Sequence, residues 1–148
     1  MKGPRTESLK PRYNCALAAQ LVYDLVVKYN YHGRFLISSF NYDILEEVEK
    51  VRTKYYGGRI STIDGAPSSF EIIYLYNHEN SPLPDPEVYT SRGDGINISA
   101  NYITQEVVNN CHNKGLKIGV WVRAKDFKED DEFYENMFKI GTDFICAD

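Results

Sequence analysis

The chain has 148 residues, of which 43% are hydrophobic and 14% aromatic, so it matches one globular domain with a sizeable core and not a disordered chain. Its net charge of -4 is spread without an acidic or basic block, which leaves no electrostatic footprint for nucleic acid or an anionic membrane. No run has the roughly twenty apolar residues of a membrane span. The three cysteines are widely spaced, which is typical of buried thiols in a reducing compartment, and this favours the cytoplasm.

The first half of the chain predicts two helices and two strands. Residues 12–29 predict an amphipathic helix whose apolar face carries Leu17, Leu21, Leu25 and Val26. A short apolar run at 34–40 predicts a buried strand, and residues 43–55 repeat apolar side chains at helical spacing. Residues 58–70 have a loop composition, and the β-branched and aromatic run at 71–76 predicts the second strand.

The second half predicts a proline-rich loop followed by three strands with two helices between them. The ranges are 78–88 for the loop, 95–99, 117–122 and 141–148 for the strands, and 104–115 and 129–140 for the helices. Thr104 suits an N-cap, and Gly115 suits the left-handed position that ends a helix. A strand, a helix and a second strand packed this closely favour a parallel sheet covered by helices.

The whole pattern alternates about five strands with about four helices, which is typical of an α/β sheet or barrel. No repeat or linker divides residues 1–148, so we expect one domain. The pattern has no strand before its first helix and no helix after its last strand. We therefore expect the chain to be a portion of a larger unit.

Four blocks of sequence follow one another in a defined order. They are ISSFN at 37–41, DGIN at 94–97, a segment from Thr104 through GLK at 115–117 to the Val-Trp pair at 120–121, and GTDFICAD at 141–148. No block is specific alone. In this order and spacing they resemble the C-terminal part of a glycerophosphodiester phosphodiesterase domain, which is a (β/α)8 barrel.

The resemblance implies an incomplete (β/α)8 TIM barrel that holds about strands 4 to 8. In this family a divalent metal, Ca or Mg, polarises a small-molecule glycerophosphodiester while two histidines exchange protons with the attacking and leaving oxygens. The products are glycerol 3-phosphate and an alcohol. The catalytic histidines and the acidic metal ligands belong to the missing strands, so the resemblance implies no catalytic residue and no metal ligand in this chain.

The resemblance also implies three substrate-binding residues. Lys2 would neutralise the phosphate, while Phe40 and Trp121 would pack against the glycerol moiety at the carboxyl ends of the strands. The residues alone leave structural alternatives open, namely a surface lysine for Lys2 and core packing for the two aromatic rings. Where the family often has Thr and then Asn two residues on, the chain carries Val122, Arg123 and Ala124.

The three histidines do not have the spacing of metal ligands or of a catalytic pair. His32 follows a predicted helix, and His112 lies late in a helix, where the helix dipole favours a cation. His78 follows a strand, which is the place where barrel sites form. Ser38 and Ser39 lack the Gly-x-Ser-x-Gly turn of a nucleophile, so we interpret them as hydrogen-bonding strand residues.

Two functional hypotheses follow. The chain is either the distal portion of a metal-dependent phosphodiesterase, inactive alone, or a non-catalytic α/β barrel-like module that binds a protein partner through an exposed strand edge. Five barrel strands in isolation present two unpaired edges and an unfilled interior. We therefore expect the isolated chain to self-associate, aggregate or fold poorly.

Overall fold

The computed structural model describes residues 13–29, 35–57, 70–78, 83–123 and 126–146. Helices and strands alternate in chain order: α1 (Cys15–Lys28), β1 (Leu36–Ser39), α2 (Tyr42–Tyr56), β2 (Glu71–Leu75), β3 (Gly95–Ser99), α3 (Gln105–Asn113), β4 (Lys117–Trp121), α4 (Asp131–Lys139) and β5 (Phe144–Cys146). Short 3-10 turns lie at Pro86–Val88 and Ala100–Tyr102. The predicted α/β class is confirmed. Within the described residues, no helix combines the length and apolar character of a membrane span.

Two compact units divide the chain, Met1–Tyr74 and Leu75–Asp148. In the first unit β1 and β2 pair in parallel, with Ile37 opposite Ile72 and Ser39 opposite Tyr74. The α2 helix begins where the Asn41 side chain accepts the Ile44 N–H at 3.3 Å, and it ends at Gly57, whose φ of 74° is left-handed. Its apolar residues Ile44, Leu45 and Val48 are buried, as the helical spacing predicts.

The apolar face of α1 is exposed, whereas an amphipathic pattern predicts that it is buried. Leu17, Leu21 and Leu25 form a row at intervals of four residues, and they are 54%, 51% and 53% exposed. Ala19 is the buried residue of this helix. An amphipathic pattern predicts that a leucine row packs inward, so this row is an apolar surface that the described part of the first unit does not cover.

A buried arginine holds α2 to the start of β2. Arg52 has no exposed surface, and its Nη1 donates to the Phe70 carbonyl oxygen at 3.2 Å. Its Nη2 lies 2.5 Å from a carboxylate oxygen of Glu49, one turn earlier. The Phe70 ring in turn lies 5.3 Å from the Phe35 ring. A charged side chain thus joins two elements that are far apart in sequence.

The second unit contains three adjacent parallel strands, β3, β4 and β5. Every residue of β3 is buried, which is typical of a parallel strand covered on both faces. The α3 helix begins at the Thr104 N-cap, as predicted, and Gly115 follows it at a φ of 70°. Gly119 in the middle of β4 lies directly under the Phe144 ring of β5.

The last strand begins later than the sequence predicts, at Phe144 and not at Gly141. Gly141 has a φ of 88°, and the Thr142 hydroxyl donates to the Met137 carbonyl at 2.9 Å, so both residues end α4 and do not begin β5. A glycine in a left-handed conformation is a common helix ending. The composition of residues 141–148 is typical of a strand, so it does not indicate that turn.

Candidate functional site

The carboxyl ends of the strands in the second unit bring several aromatic and polar side chains together. The β3 and β4 strands end at Ser99 and Trp121, which are paired in register, and β5 ends at Cys146 opposite Trp121. The segment after β2 joins this edge because the Tyr76 N–H donates to the Asn97 carbonyl of β3 at 2.8 Å. Ligands of parallel α/β proteins bind beyond this end of the strands.

His78 is fixed in this cluster by a backbone hydrogen bond and two rings. The Ser99 N–H donates to His78 Nε2 at 3.0 Å, so that nitrogen is the unprotonated acceptor and the ring is neutral. The imidazole stacks on Tyr102 at 4.2 Å and 19°, and it meets the Tyr76 ring edge-on at 5.0 Å. The ring therefore serves as a flat neutral wall of the site.

Trp121 lies beside this wall and carries a cation on its face. Its ring is half-buried and lies 6.1 Å from the His78 ring. The Arg123 guanidinium lies 5.1 Å from the centre of the Trp121 ring, within the range of a cation–π interaction. Arg123 is exposed and forms no ion pair with any carboxylate in the described part of the chain.

Asn97, from the DGIN block, is buried below the cluster. Its Nδ2 lies 3.2 Å from the Cys146 sulfur, which connects β3 to β5. Its Oδ1 is buried and has no hydrogen-bond partner among the described residues. Buried polar atoms are normally paired, so this oxygen is an exception among the described residues.

The other two predicted substrate-binding residues belong to the first unit. Phe40 directly follows β1, at its carboxyl end, and its side chain is 57% exposed, so it is not a core residue. Lys2 lies outside the described residues, as does His32. The Ser39 hydroxyl oxygen accepts the Asn41 N–H at 3.0 Å, which agrees with a hydrogen-bonding role. The substrate contacts of Lys2, Phe40 and Trp121 remain predictions.

His112 lies away from the cluster, at the amino ends of the strands. Its Nε2 is 2.9 Å from Asp143 Oδ2, and the same oxygen accepts the Ile118 N–H at 2.8 Å, next to the start of β4. The neighbouring Cys111 is buried, and burial, with a smaller effect of the Asp143 charge, raises the pKa of its thiol to about 11. Cys111 is therefore a poor nucleophile at neutral pH.

In the described ranges no three acidic, histidine or cysteine side chains converge into a set that would hold a metal ion.

The fold was compared with solved structures. A protein from Galdieria sulphuraria assigned as a glycerophosphodiester phosphodiesterase matches with a TM-score of 0.63 and 24% identity, over 87% of this chain and 46% of the other. A protein from Silicibacter pomeroyi DSS-3 assigned as a glycerophosphoryl diester phosphodiesterase matches with a TM-score of 0.65 and 18% identity, over 90% of this chain and 40% of the other.

The chain has the fold of part of a glycerophosphodiester phosphodiesterase domain. The predicted resemblance and the predicted incomplete (β/α)8 TIM barrel are thus confirmed at the level of fold. The chain spans less than half of the length of each of these two proteins. No protein-family model and no curated protein matches the sequence.

Sequence reasoning identified Trp121 and the strand-end position of His78, but it missed the partners of these residues. Tyr76, Tyr102 and Arg123 complete the cluster in the structure. The available signal was position, because each of the three lies within a few residues of the carboxyl end of a strand. The aromatic stacking itself depends on ring orientations that a linear pattern does not contain.

Proposed function

We propose that this chain is the distal portion of a phosphodiesterase that hydrolyses glycerophosphodiesters to glycerol 3-phosphate and an alcohol, and that it is inactive without the proximal strands. The observation that carries the proposal is the fold likeness to the two phosphodiesterase structures, which extends over 87% and 90% of the chain. The aromatic cluster at the carboxyl ends of the strands supports it, since substrates of barrel enzymes bind there.

In this proposal residues 1–148 supply binding surface and not the reacting groups. The Trp121 ring and the exposed Phe40 ring would contact the apolar edge of the glycerol moiety, and Lys2 would neutralise a phosphate charge. A divalent metal, Ca or Mg, would polarise the phosphate, and its ligands would come from outside the described residues. The neutral His78 ring would shape the site without exchanging protons through Nε2, because that nitrogen is engaged by Ser99.

A chimera tests this division of labour. The part of the Galdieria protein outside the aligned region is fused to this chain, and release of glycerol 3-phosphate from glycerophosphoethanolamine is measured with Mg or Ca. We expect release by the chimera and none by either part alone, because general acid–base groups and binding surface must meet in one site. Trp121→Ala in the chimera should lower kcat/KM about tenfold through lost positioning.

The matched control in the chimera is Phe138→Ala. Phe138 is 60% exposed on α4 and lies outside the cluster, so this variant removes an aromatic ring without touching the site. This variant should retain the activity of the parent chimera. Hydrolysis by the 148-residue chain alone would disprove its inactivity. A chimera that melts cooperatively but releases no glycerol 3-phosphate would contradict the proposed function.

A second candidate function is partner binding, and the exposed α1 row favours it. Leu17, Leu21 and Leu25 present three leucines on one face of a helix, each more than half exposed. Recognition between helices commonly uses apolar anchors at this spacing. In this reading the chain is a non-catalytic module, and the partner presents an apolar helix face.

The α1 row also gives a prediction about self-association. Leu21→Glu places a charge in the centre of the row, so it should lower concentration-dependent association of the isolated chain at least about tenfold, because burying an unpaired charge is costly. Val27→Glu is the control, since Val27 is 55% exposed on the same helix but lies off the row. Light scattering after size exclusion measures both. A wild-type chain that stays monomeric at all concentrations would rule out this role of the row.

A further inference from the structure

We infer that Cys146 is a site of reversible oxidation, at which hydrogen peroxide forms a sulfenic acid that the buried Asn97 amide holds. This modification site goes beyond the proposed function and does not depend on it. Cys146 is the last residue of β5, in the strand-end cluster of the second unit. Two features of the structure support the inference, namely the accessibility of this thiol and an unpaired hydrogen-bond acceptor beside it.

Cys146 is the accessible thiol among the three cysteines. Its side chain is exposed, whereas Cys111 is fully buried and Cys15 is partly buried. Burial raises the pKa of the Cys111 thiol to about 11, and burial together with the Asp43 charge raises the pKa of the Cys15 thiol. Both groups are therefore held as thiols at neutral pH, whereas the thiolate is the form that peroxide oxidises.

Cys146 and Asn97 lie on the same face of the sheet. Side chains alternate along a strand, and residues paired in register on parallel strands point to the same side. Cys146 is paired with Trp121 of β4. Asn97 is paired with Gly119, two residues before Trp121 on the same strand. The Asn97 side chain therefore reaches across β4, and its Nδ2 donates to the Cys146 sulfur at 3.2 Å.

The unpaired acceptor beside the thiol is Asn97 Oδ1. Asn97 has no exposed surface, and none of the described residues donates a hydrogen bond to this oxygen. Buried amide oxygens are normally paired, because burial removes their hydrogen bonds to water. The nitrogen of the same amide contacts the Cys146 sulfur, so the oxygen also lies next to the thiol. A hydroxyl group on that sulfur would supply the donor that the oxygen lacks.

Oxidation by hydrogen peroxide places such a hydroxyl on the sulfur. The Cys146 thiolate attacks one peroxide oxygen, an S–O bond forms as the O–O bond breaks, and the departing hydroxide takes up the proton that the thiol released and becomes water. The sulfur loses two electrons, and the peroxide gains them. The sulfenic hydroxyl then donates to Asn97 Oδ1, while Asn97 Nδ2 still donates to the sulfur. These two hydrogen bonds slow the further oxidation and condensation that otherwise consume a sulfenic acid.

The test compares oxidation of each thiol with its accessibility. The 148-residue chain is treated with hydrogen peroxide and then with dimedone, which traps sulfenic acids, and peptide mass spectrometry measures the adduct at each cysteine. A parallel sample reacts with iodoacetamide, which measures how readily each thiol is reached. We expect at least about tenfold more dimedone adduct at Cys146 than at Cys15 or Cys111. Dithiothreitol added between peroxide and dimedone should remove this adduct, because a sulfenic acid is reducible by thiols.

Two variants separate the effect of the amide from that of exposure. Asn97→Leu keeps a side chain of similar size but removes the donor and the acceptor, so the ratio of dimedone to iodoacetamide labelling at Cys146 should fall about fivefold. Phe138→Cys in the Cys146→Ala background is the control, since position 138 is 60% exposed on α4 and lies outside the strand-end cluster. Its ratio should match that of Asn97→Leu. Thermal melts followed by circular dichroism establish that each variant is folded.

Equal ratios for Cys146 in the wild type and for the control thiol would overturn the inference, because Cys146 would then be an ordinary exposed thiol. An unchanged ratio in folded Asn97→Leu would also overturn it. If that variant does not fold, the wild-type chain in urea replaces it, because unfolding separates the amide from the sulfur. A fivefold fall in urea would support the inference, and an unchanged ratio would reject it. Each of these outcomes leaves the proposed function to be decided by the chimera.

Discussion

Arg52→Ala is expected to destabilise the fold by about 3 kcal/mol, because it removes a fully buried side chain together with its hydrogen bond and its ion pair to the partly exposed Glu49. Arg52 has no exposed surface, and its guanidinium contacts both Glu49 and the Phe70 carbonyl oxygen. Truncation would leave that carbonyl without this donor and a cavity where the aliphatic stem lies. The change in the free energy of unfolding is measured by urea titration and circular dichroism, in the Leu21→Glu background to limit association.

Two further substitutions separate charge from volume at this position. Arg52→Met keeps most of the stem and should cost less than the alanine change, because apolar replacements of buried charges are often tolerated. Arg52→Lys keeps a charge without the planar fork that reaches both Glu49 and Phe70, so an intermediate cost is expected. A loss of less than about 1 kcal/mol for the alanine variant would show that the arginine does not hold β2 to α2.

Arg52 also shows a buried residue that an apolar sequence pattern does not predict. The helical repeat of Ile44, Leu45 and Val48 correctly predicts the buried face of α2. Val51 continues the apolar spacing of residues 43–55 in the sequence, whereas the structure buries Arg52 fully and leaves Val51 partly accessible. A pattern of apolar residues has no means of placing a charge in the core, because such burial depends on partners that arrive from elsewhere. The Phe70 carbonyl is eighteen residues away.

Among the strands and the site residues, too, the sequence predicts some features and not others. Strand β3 matches its prediction at both ends, since Gly95 and Ser99 bound a run whose composition is unambiguous. The α1 leucines have an equally regular pattern, but the pattern specifies a face and not what covers it. Likewise, the strand-end position of Trp121 follows from local sequence, whereas the guanidinium on its ring depends on a side-chain orientation that the sequence pattern does not specify.

Gly119→Val is expected to destabilise the second unit by about 3 kcal/mol or more, at the upper end of the cost of overpacking. Gly119 is paired in register with Phe144 of β5, and the Phe144 ring lies over it so closely that an added Cβ would overlap three ring carbons. A glycine within a strand often marks such a close approach. Gly119→Ala should produce a smaller loss of the same origin.

The decisive measurement is a double-mutant cycle with Phe144→Leu, which removes the overlapping ring while keeping an apolar side chain. If the clash is the cause, Gly119→Ala should cost much less in the Phe144→Leu background than in the wild type, and the two changes should be strongly non-additive. Gly115→Ala is a useful contrast, because a Cβ there meets no atom and only the left-handed φ of 70° is strained. Additive losses at positions 119 and 144 would show that the glycine is needed for another reason.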